Sequence, residues 1–182
     1  MANSAPSGAN SWNAGVIREF RANGGRVGGA LADATIILLH QVGARSGIER
    51  ITPVGCFPQG DGRFAIIASN GGSPRHPDWY YNLKAHPRIT IELGTETFTV
   101  VAEEVDDDAR AELLSKAIAE RPEIAGFQAR VTRKIPILIL TRQDRPASRT
   151  ARSASEAVRA VRRGKTPPTC RQSGRSAVRL PL

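Results

Sequence analysis

What is missing narrows the reading of this 182-residue chain first. Cysteine occurs only at Cys56 and Cys170, one inside an apolar segment and one near the C-terminus, so no disulfide framework is expected. No stretch reaches the roughly 18 apolar residues of a membrane span, and the opening residues lack a secretory signal's apolar block. A cytoplasmic protein is expected. No group of His, Cys and carboxylate residues has metal-ligand spacing, so no metal is expected. Acids are nearly absent from residues 145–182, where ten Arg or Lys face the single Glu156. Residues 1–144 balance 16 basic against 16 acidic side chains, so the whole net charge of +9 belongs to that tail. The tail also has no aromatic side chain to stack on bases, which argues against specific nucleic-acid recognition. It is expected to be a disordered, solvated appendage with one short helix near residues 155–163.

What is present has the composition of a soluble globular protein, 40% hydrophobic and 24% charged, and the length of one domain. Residues 1–11, rich in Ala, Ser, Gly and Asn, read as a flexible N-terminus. Trp12, Val16, Ile17 and Phe20 recur at helical spacing and predict a short amphipathic helix, which could pack on its own domain, cover a ligand or touch a membrane surface. The glycines of residues 23–29 predict a loop, flexible or closely approached by a ligand. Residues 35–41 (TIILLHQ) predict a buried strand, and residues 50–57, interrupted by Pro53, an edge or bulged one. Gly60-Asp61-Gly62 is a hairpin signal before a strand over residues 63–69. A helix is expected from His76-Pro77-Asp78-Trp79 to just before Pro87. Residues 88–93 and 95–104 alternate across Gly94 as a second hairpin. Asp106-Asp107-Asp108 fits a helix N-terminus far better than a metal site, and opens a helix over residues 109–120. A short helix over residues 122–131 and a final strand over 135–141 complete the body. About six strands, in antiparallel hairpins closed by a late strand, with two or three helices, predict a mainly β (α+β) protein: a small antiparallel split β-barrel.

Chemistry concentrates between Gly43 and Leu83. The turn Gly43-Ala44-Arg45-Ser46-Gly47-Ile48-Glu49-Arg50 offers two guanidinium groups, a hydroxyl and glycine-freed backbone N–H groups to an anion. The stretch from Ala68-Ser69-Asn70-Gly71-Gly72 to Trp79-Tyr80-Tyr81 offers a small-residue loop, a helix start and an aromatic cluster. Together they suit a ligand with an acidic tail and a flat ring. A Ser–His–Asp hydrolase is disfavoured because neither Ser46 nor Ser69 sits on a strand-to-helix nucleophile elbow.

Those fragments, with Phe20-Arg21-Ala22-Asn23-Gly24-Gly25, Pro53, His76-Pro77-Asp78, Asn82-Leu83, Pro87 and Ile135-Pro136, follow one another in an order and spacing that is specific. Over residues 12–141 the chain resembles the deazaflavin-dependent nitroreductase family, actinobacterial proteins with an FMN-binding split-barrel-like fold that use reduced coenzyme F420, F420H2-dependent quinone reductases among them. The resemblance implies a barrel domain over residues 12–144 and excludes the tail, 145–182. It implies that Arg45, Ser46 and Gly47 hold the coenzyme's phosphate, that Arg50 pairs with the phosphate or the first glutamates, and that Pro53 lines the ring pocket. Ala68, Ser69 and Asn70 would follow the ring's polar edge, Trp79 and Tyr80 would close the cleft, and Arg75, Lys84 and Arg88 would meet the outer glutamates.

The implied reaction is hydride transfer from the deazaflavin to a quinone, nitroaromatic or activated enone, with Ser69, Tyr80 or a water between them as the candidate proton donor. Where the nitroimidazole-reducing member has tyrosines, this chain has Gly55, Ile124 and Phe127, which favours an apolar acceptor. Two other readings stand beside the enzyme: a non-catalytic carrier of F420 or of a hydrophobic ligand, and a nucleic-acid or membrane interaction protein acting through the basic tail. Peripheral membrane contact through the N-terminal helix, and a monomer or homodimer, complete the expectations.

Overall fold

A computed structural model describes residues 8–143; the expectations for residues 1–7 and for the basic tail lie outside them. The elements run α1 (Gly8–Ala22), β1 (Ile36–Val42), β2 (Glu49–Gly60), β3 (Arg63–Ile67), α2 (Asp78–Ala85), β4 (Arg88–Leu93), β5 (Glu96–Glu104), α3 (Asp107–Glu120), α4 (Glu123–Ala129) and β6 (Ile137–Arg142). All neighbouring strands pair antiparallel, and the order β1-β2-β3-β6-β5-β4 closes on itself. The expected six-stranded barrel forms, and the described residues hold four α-helices, one in each of the four places where the sequence predicts a helix, although the overall count expected from it is two or three. None of these helices is long and apolar enough to cross a membrane.

Period-two geometry explains why β1 and β6 read as unbroken apolar runs. Ile37 and Leu39 point into the barrel beside Ile66, Ile91, Val100, Leu138 and Leu140. Their neighbours Ile36 and Leu38 point outward and are buried under Val16 and Phe20 of α1 and Val27. On the opposite side Ile137 and Ile139 of β6 and Ala65 of β3 carry α3 and α4 through Ala117 and Ile124. Strands covered on both faces need apolar residues at every position. Leu39 is wholly buried, and cutting it to Ala would cost about 2–5 kcal/mol.

The loops follow the local chemistry. Asp61 at φ 51°, between Gly60 and Gly62 at φ 78° and 71°, turns β2 into β3. Asp106 accepts a hydrogen bond from the Ala109 N–H at 2.9 Å and caps α3, so the acidic triplet serves the helix. In the glycine-rich loop, Gly25 lies at φ 92° against the β4–β5 turn, where a Cβ would fall 2.4 Å from Gly94 Cα. That glycine is needed where one backbone crosses another.

Candidate active site

The site originates in the way β2 changes partners. Its first part, Glu49 to Gly55, pairs only with β1, and its pairing with β3 begins at Cys56, opposite Ile66. Beyond that point the two strands splay, because β3 ends at Ile67 and the chain leaves as a loop. Pro53, which has no N–H to offer, sits in the part of β2 with one neighbour. The splay opens a cleft of about 400 Å³, within the size range of small-molecule sites.

Its walls come from separate elements. Pro53, Val54 and Gly55 of β2 form one side, and Ser69, Asn70 and Gly71 form the other. Trp79 closes it from α2, Trp12 from α1, and Ile124 and Phe127 from α4. The cleft is therefore apolar along most of its wall and polar along the loop edge. Arg121 and Glu123, at the joint between α3 and α4, are the charged residues lining it.

The Ser69–Asn70 loop is built with unusual backbone. Asn70, Gly71 and Gly72 take φ of 50°, 62° and 78° in succession, and Ala68 N–H donates to the Pro136 carbonyl at 2.9 Å. A Cβ on Gly72 would press on Arg130 and on the Phe127 carbonyl at 3.1–3.3 Å, so this glycine lets α4 close down. Arg133 holds the whole loop from behind. Its guanidinium donates to the carbonyls of Ser69 at 3.0 Å, Ser73 at 3.1 Å and Arg75 at 3.2 Å, and meets His76 Nδ1 at 2.9 Å. Burial, with the adjacent guanidinium, holds His76 below its ordinary pKa. The imidazole is thus neutral and Nδ1 accepts.

The β1–β2 turn is positioned by a buried amide relay. Gln41 and Asn82 are the two buried polar side chains among the described residues. Gln41 Nε2 donates to Thr52 Oγ1 at 2.8 Å, Asn82 Nδ2 donates to Gln41 Oε1 at 3.1 Å, and Asn82 Oδ1 accepts from the Ala44 N–H at 2.8 Å. α2 is thereby tied to the turn. Within it Gly47, at φ 65°, donates to the Gly43 carbonyl, and Ser46 Oγ accepts from the Ile48 N–H.

Of the residues singled out in the sequence, Pro53, Ser69, Asn70 and Trp79 line the cleft, and buried Ala68 sits at the foot of its loop. Arg45, Ser46 and Gly47 lie exposed on the turn and Arg50 lies exposed at the start of β2. Neither arginine makes an ion pair among the described residues. Arg50 is three residues before Pro53 on β2, roughly 10 Å along an extended strand. Arg75 lies exposed on the far limb of the loop. Tyr80 and Lys84 do not line the cleft: the Tyr80 hydroxyl donates to Glu104 Oε2 at 3.0 Å, and Lys84 Nζ meets the same oxygen at 2.8 Å. Burial and the neighbouring carboxylate push the Tyr80 phenol up to about 12. Glu104 is itself disfavoured as an anion by burial, but the bonds from Lys84 and Tyr80 hold it below its ordinary value. Gln41, Arg121 and Arg133 carry no signal in the sequence, and Asn82, part of a matching fragment there, gains its role only from the fold.

The arrangement can be tested against a polyanionic coenzyme with a flat ring. A slot with apolar walls and one polar edge suits a flat ring, and Arg45 and Arg50, exposed and without an ion pair among the described residues, offer charge to an acidic end.

The profile of the F420H(2)-dependent quinone reductase family matches residues 13–142. An F420H(2)-dependent quinone reductase of Mycobacterium tuberculosis is 37% identical over 130 residues, covering 68% of this chain and 85% of that protein. Among solved structures, one described as an F420-H2 dependent reductase is 33% identical with a TM-score of 0.53, covering 58% of this chain and 93% of its own. Another, described as a domain-swapped dimer, is 30% identical with a TM-score of 0.55, covering 71% and 97%.

Proposed function

The chain belongs to the F420H(2)-dependent quinone reductase family, and from that membership we propose how its own residues carry the reaction. It is an oxidoreductase that takes hydride from reduced coenzyme F420 and passes it to a small-molecule quinone acceptor. The finer assignment rests on one observation, the cleft in the β2–β3 splay with, at the start of the same strand, a cationic turn that makes no ion pair among the described residues.

In this reading Arg45, Ser46, Gly47 and Arg50 bind the coenzyme's phosphate and first carboxylates, and Arg75 lends charge to the outer glutamates, whereas Lys84 is engaged by Glu104. Pro53 and Trp79 flank the ring, and Ala68, Ser69 and Asn70 contact its polar edge. The coenzyme, when bound, supplies a carbon-bound hydride. The protein supplies binding, orientation and exclusion of water. Ser69 is the hydroxyl at the cleft, whereas Tyr80 acts by bracing α2 against Glu104. The acceptor pocket is apolar because Gly55, Ile124 and Phe127 bring no hydrogen-bonding side chain to it.

We read α1 as a wall of the cleft rather than a membrane anchor. Trp12 is 56% exposed yet faces the cleft, and the helix is pinned by Arg21 to Glu92 and by Glu19 to the Gly28 N–H. The binding unit is residues 12–144, with residues 145–182 contributing nothing to coenzyme affinity. Mixing protein, reduced F420 and menadione tests the reading: loss of reduced coenzyme, catalytic in protein, is expected. Tight binding of F420 without turnover would instead favour the non-catalytic carrier.

A further inference from the structure

A neutral quinone that accepts a hydride gains two electrons and one proton, and carries a full negative charge until water protonates its second oxygen. The two electrons come from reduced F420, which is oxidised. A cleft with apolar walls opposes the charge that develops unless a fixed cation faces it. Among the described residues lining this cleft there is one cation, Arg121. Its position is set by the chain: it ends α3, its N–H bonds the Ala117 carbonyl at 2.8 Å, and Pro122 follows at φ −58° to start α4. The guanidinium Nε donates to Glu123 Oε1 at 2.7 Å, and the side chain is 25% exposed. That bond fixes the plane of the guanidinium, and among the described residues no hydrogen bond or ion pair uses its third nitrogen, Nη1. Ile124 and Phe127, which follow Arg121 on α4, form the apolar wall beside it.

We propose that Arg121 is a catalytic residue, the electrostatic stabiliser of the anionic acceptor, and that Glu123 orients it and balances its charge before the acceptor is reduced. The proposal rests on the quinone-reductase reading and deepens it. The chain then selects acceptors by the charge they acquire: apolar when they enter, anionic when reduced.

The test uses full-length protein and two naphthoquinones of similar shape, neutral menadione and 2-hydroxy-1,4-naphthoquinone, which is anionic at neutral pH and stands in for the charged product. Binding is read without coenzyme by quenching of tryptophan fluorescence. Wild type should bind the anion at least tenfold more tightly than menadione. Arg121→Gln should abolish that preference while leaving menadione affinity within about twofold, Arg121→Lys should restore part of it, and Glu123→Gln should increase it. In turnover Arg121→Gln should lower kcat about 100-fold with little change in KM for menadione. Equal binding of the two compounds by wild type, or an unchanged preference in Arg121→Gln, overturns the proposal while leaving the reductase intact. Loss of F420 affinity in Arg121→Gln with the anion preference retained also overturns it, by assigning the guanidinium to the coenzyme. Wild-type protein that turns over no menadione at all would instead defeat the underlying reading. Unchanged thermal melting of each variant excludes misfolding as the cause.

Discussion

Replacing Asn82 by Ala tests whether the buried relay anchors the cationic turn. The change removes the acceptor for the Ala44 N–H and the donor to Gln41 Oε1. Ala44 is exposed, so water can serve its N–H. Gln41 is only 2% exposed and its oxygen is left without a partner, which costs about 1–3 kcal/mol. Adding the void left by the amide, the expected loss is about 2–4 kcal/mol, or a fall of about 1–2 M in the urea midpoint at unchanged slope. Asn82→Asp separates the two bonds. Its carboxylate still accepts from Ala44 but cannot donate to Gln41, and a charge enters a site only 7% exposed. At neutral pH it should cost at least as much as Ala. As pH falls and the carboxyl protonates, its O–H can donate to Gln41, so stability should recover. The same loosening of the turn should weaken F420 binding severalfold in both variants. An Ala variant within about 0.5 kcal/mol of wild type, or an Asp variant as stable as wild type at pH 7, would refute the relay as the anchor.

Arg133→Met should destabilise the protein by about 2–4 kcal/mol, read by urea unfolding, because several loop carbonyls lose a charged donor together. His76 should then titrate higher by NMR, since one cause of its depressed pKa is gone. Glu92 is held below its ordinary value, chiefly by its bond from Arg21, against the opposing effect of burial and with help from His40. A depressed carboxyl stabilises fully above its ordinary pKa and loses that contribution as pH falls through the folded value. Glu92→Gln should therefore lower stability by about 1 kcal/mol at pH 7, with the two unfolding curves converging in acid.

Most of the barrel was legible because its signals are local. The apolar run of β1, the Gly60-Asp61-Gly62 and Gly94 turns, the Asp106 cap and the proline before α2 each act within a few residues. β2 runs three residues beyond the Phe57 that the sequence predicts as its end, because Pro58 and the bulge between Pro58 and Gly60 disguise a strand that continues to its turn. The site was legible where one segment lines it, as with Ser69 and Asn70. It was hidden where partners lie far apart: Gln41 meets Asn82 across 41 positions, and Arg133 reaches back 64 residues to Ser69. No periodicity marks such pairs. Glu104 taking both Tyr80 and Lys84 follows from strand β5 lying beside α2, which a linear pattern does not contain.

The central claim is that the β1–β2 turn, and not the basic tail, grips the coenzyme. It is tested most directly by fluorescence titration of F420 into wild type, Arg50→Ala and a variant lacking residues 145–182. Loss of one charge-assisted contact of about 1.5–3 kcal/mol should weaken Arg50→Ala by about 10- to 150-fold, with the truncated protein binding as wild type does. A truncation that costs more than the substitution, or a wild-type protein that ignores F420 and holds FMN or haem stoichiometrically, would contradict it.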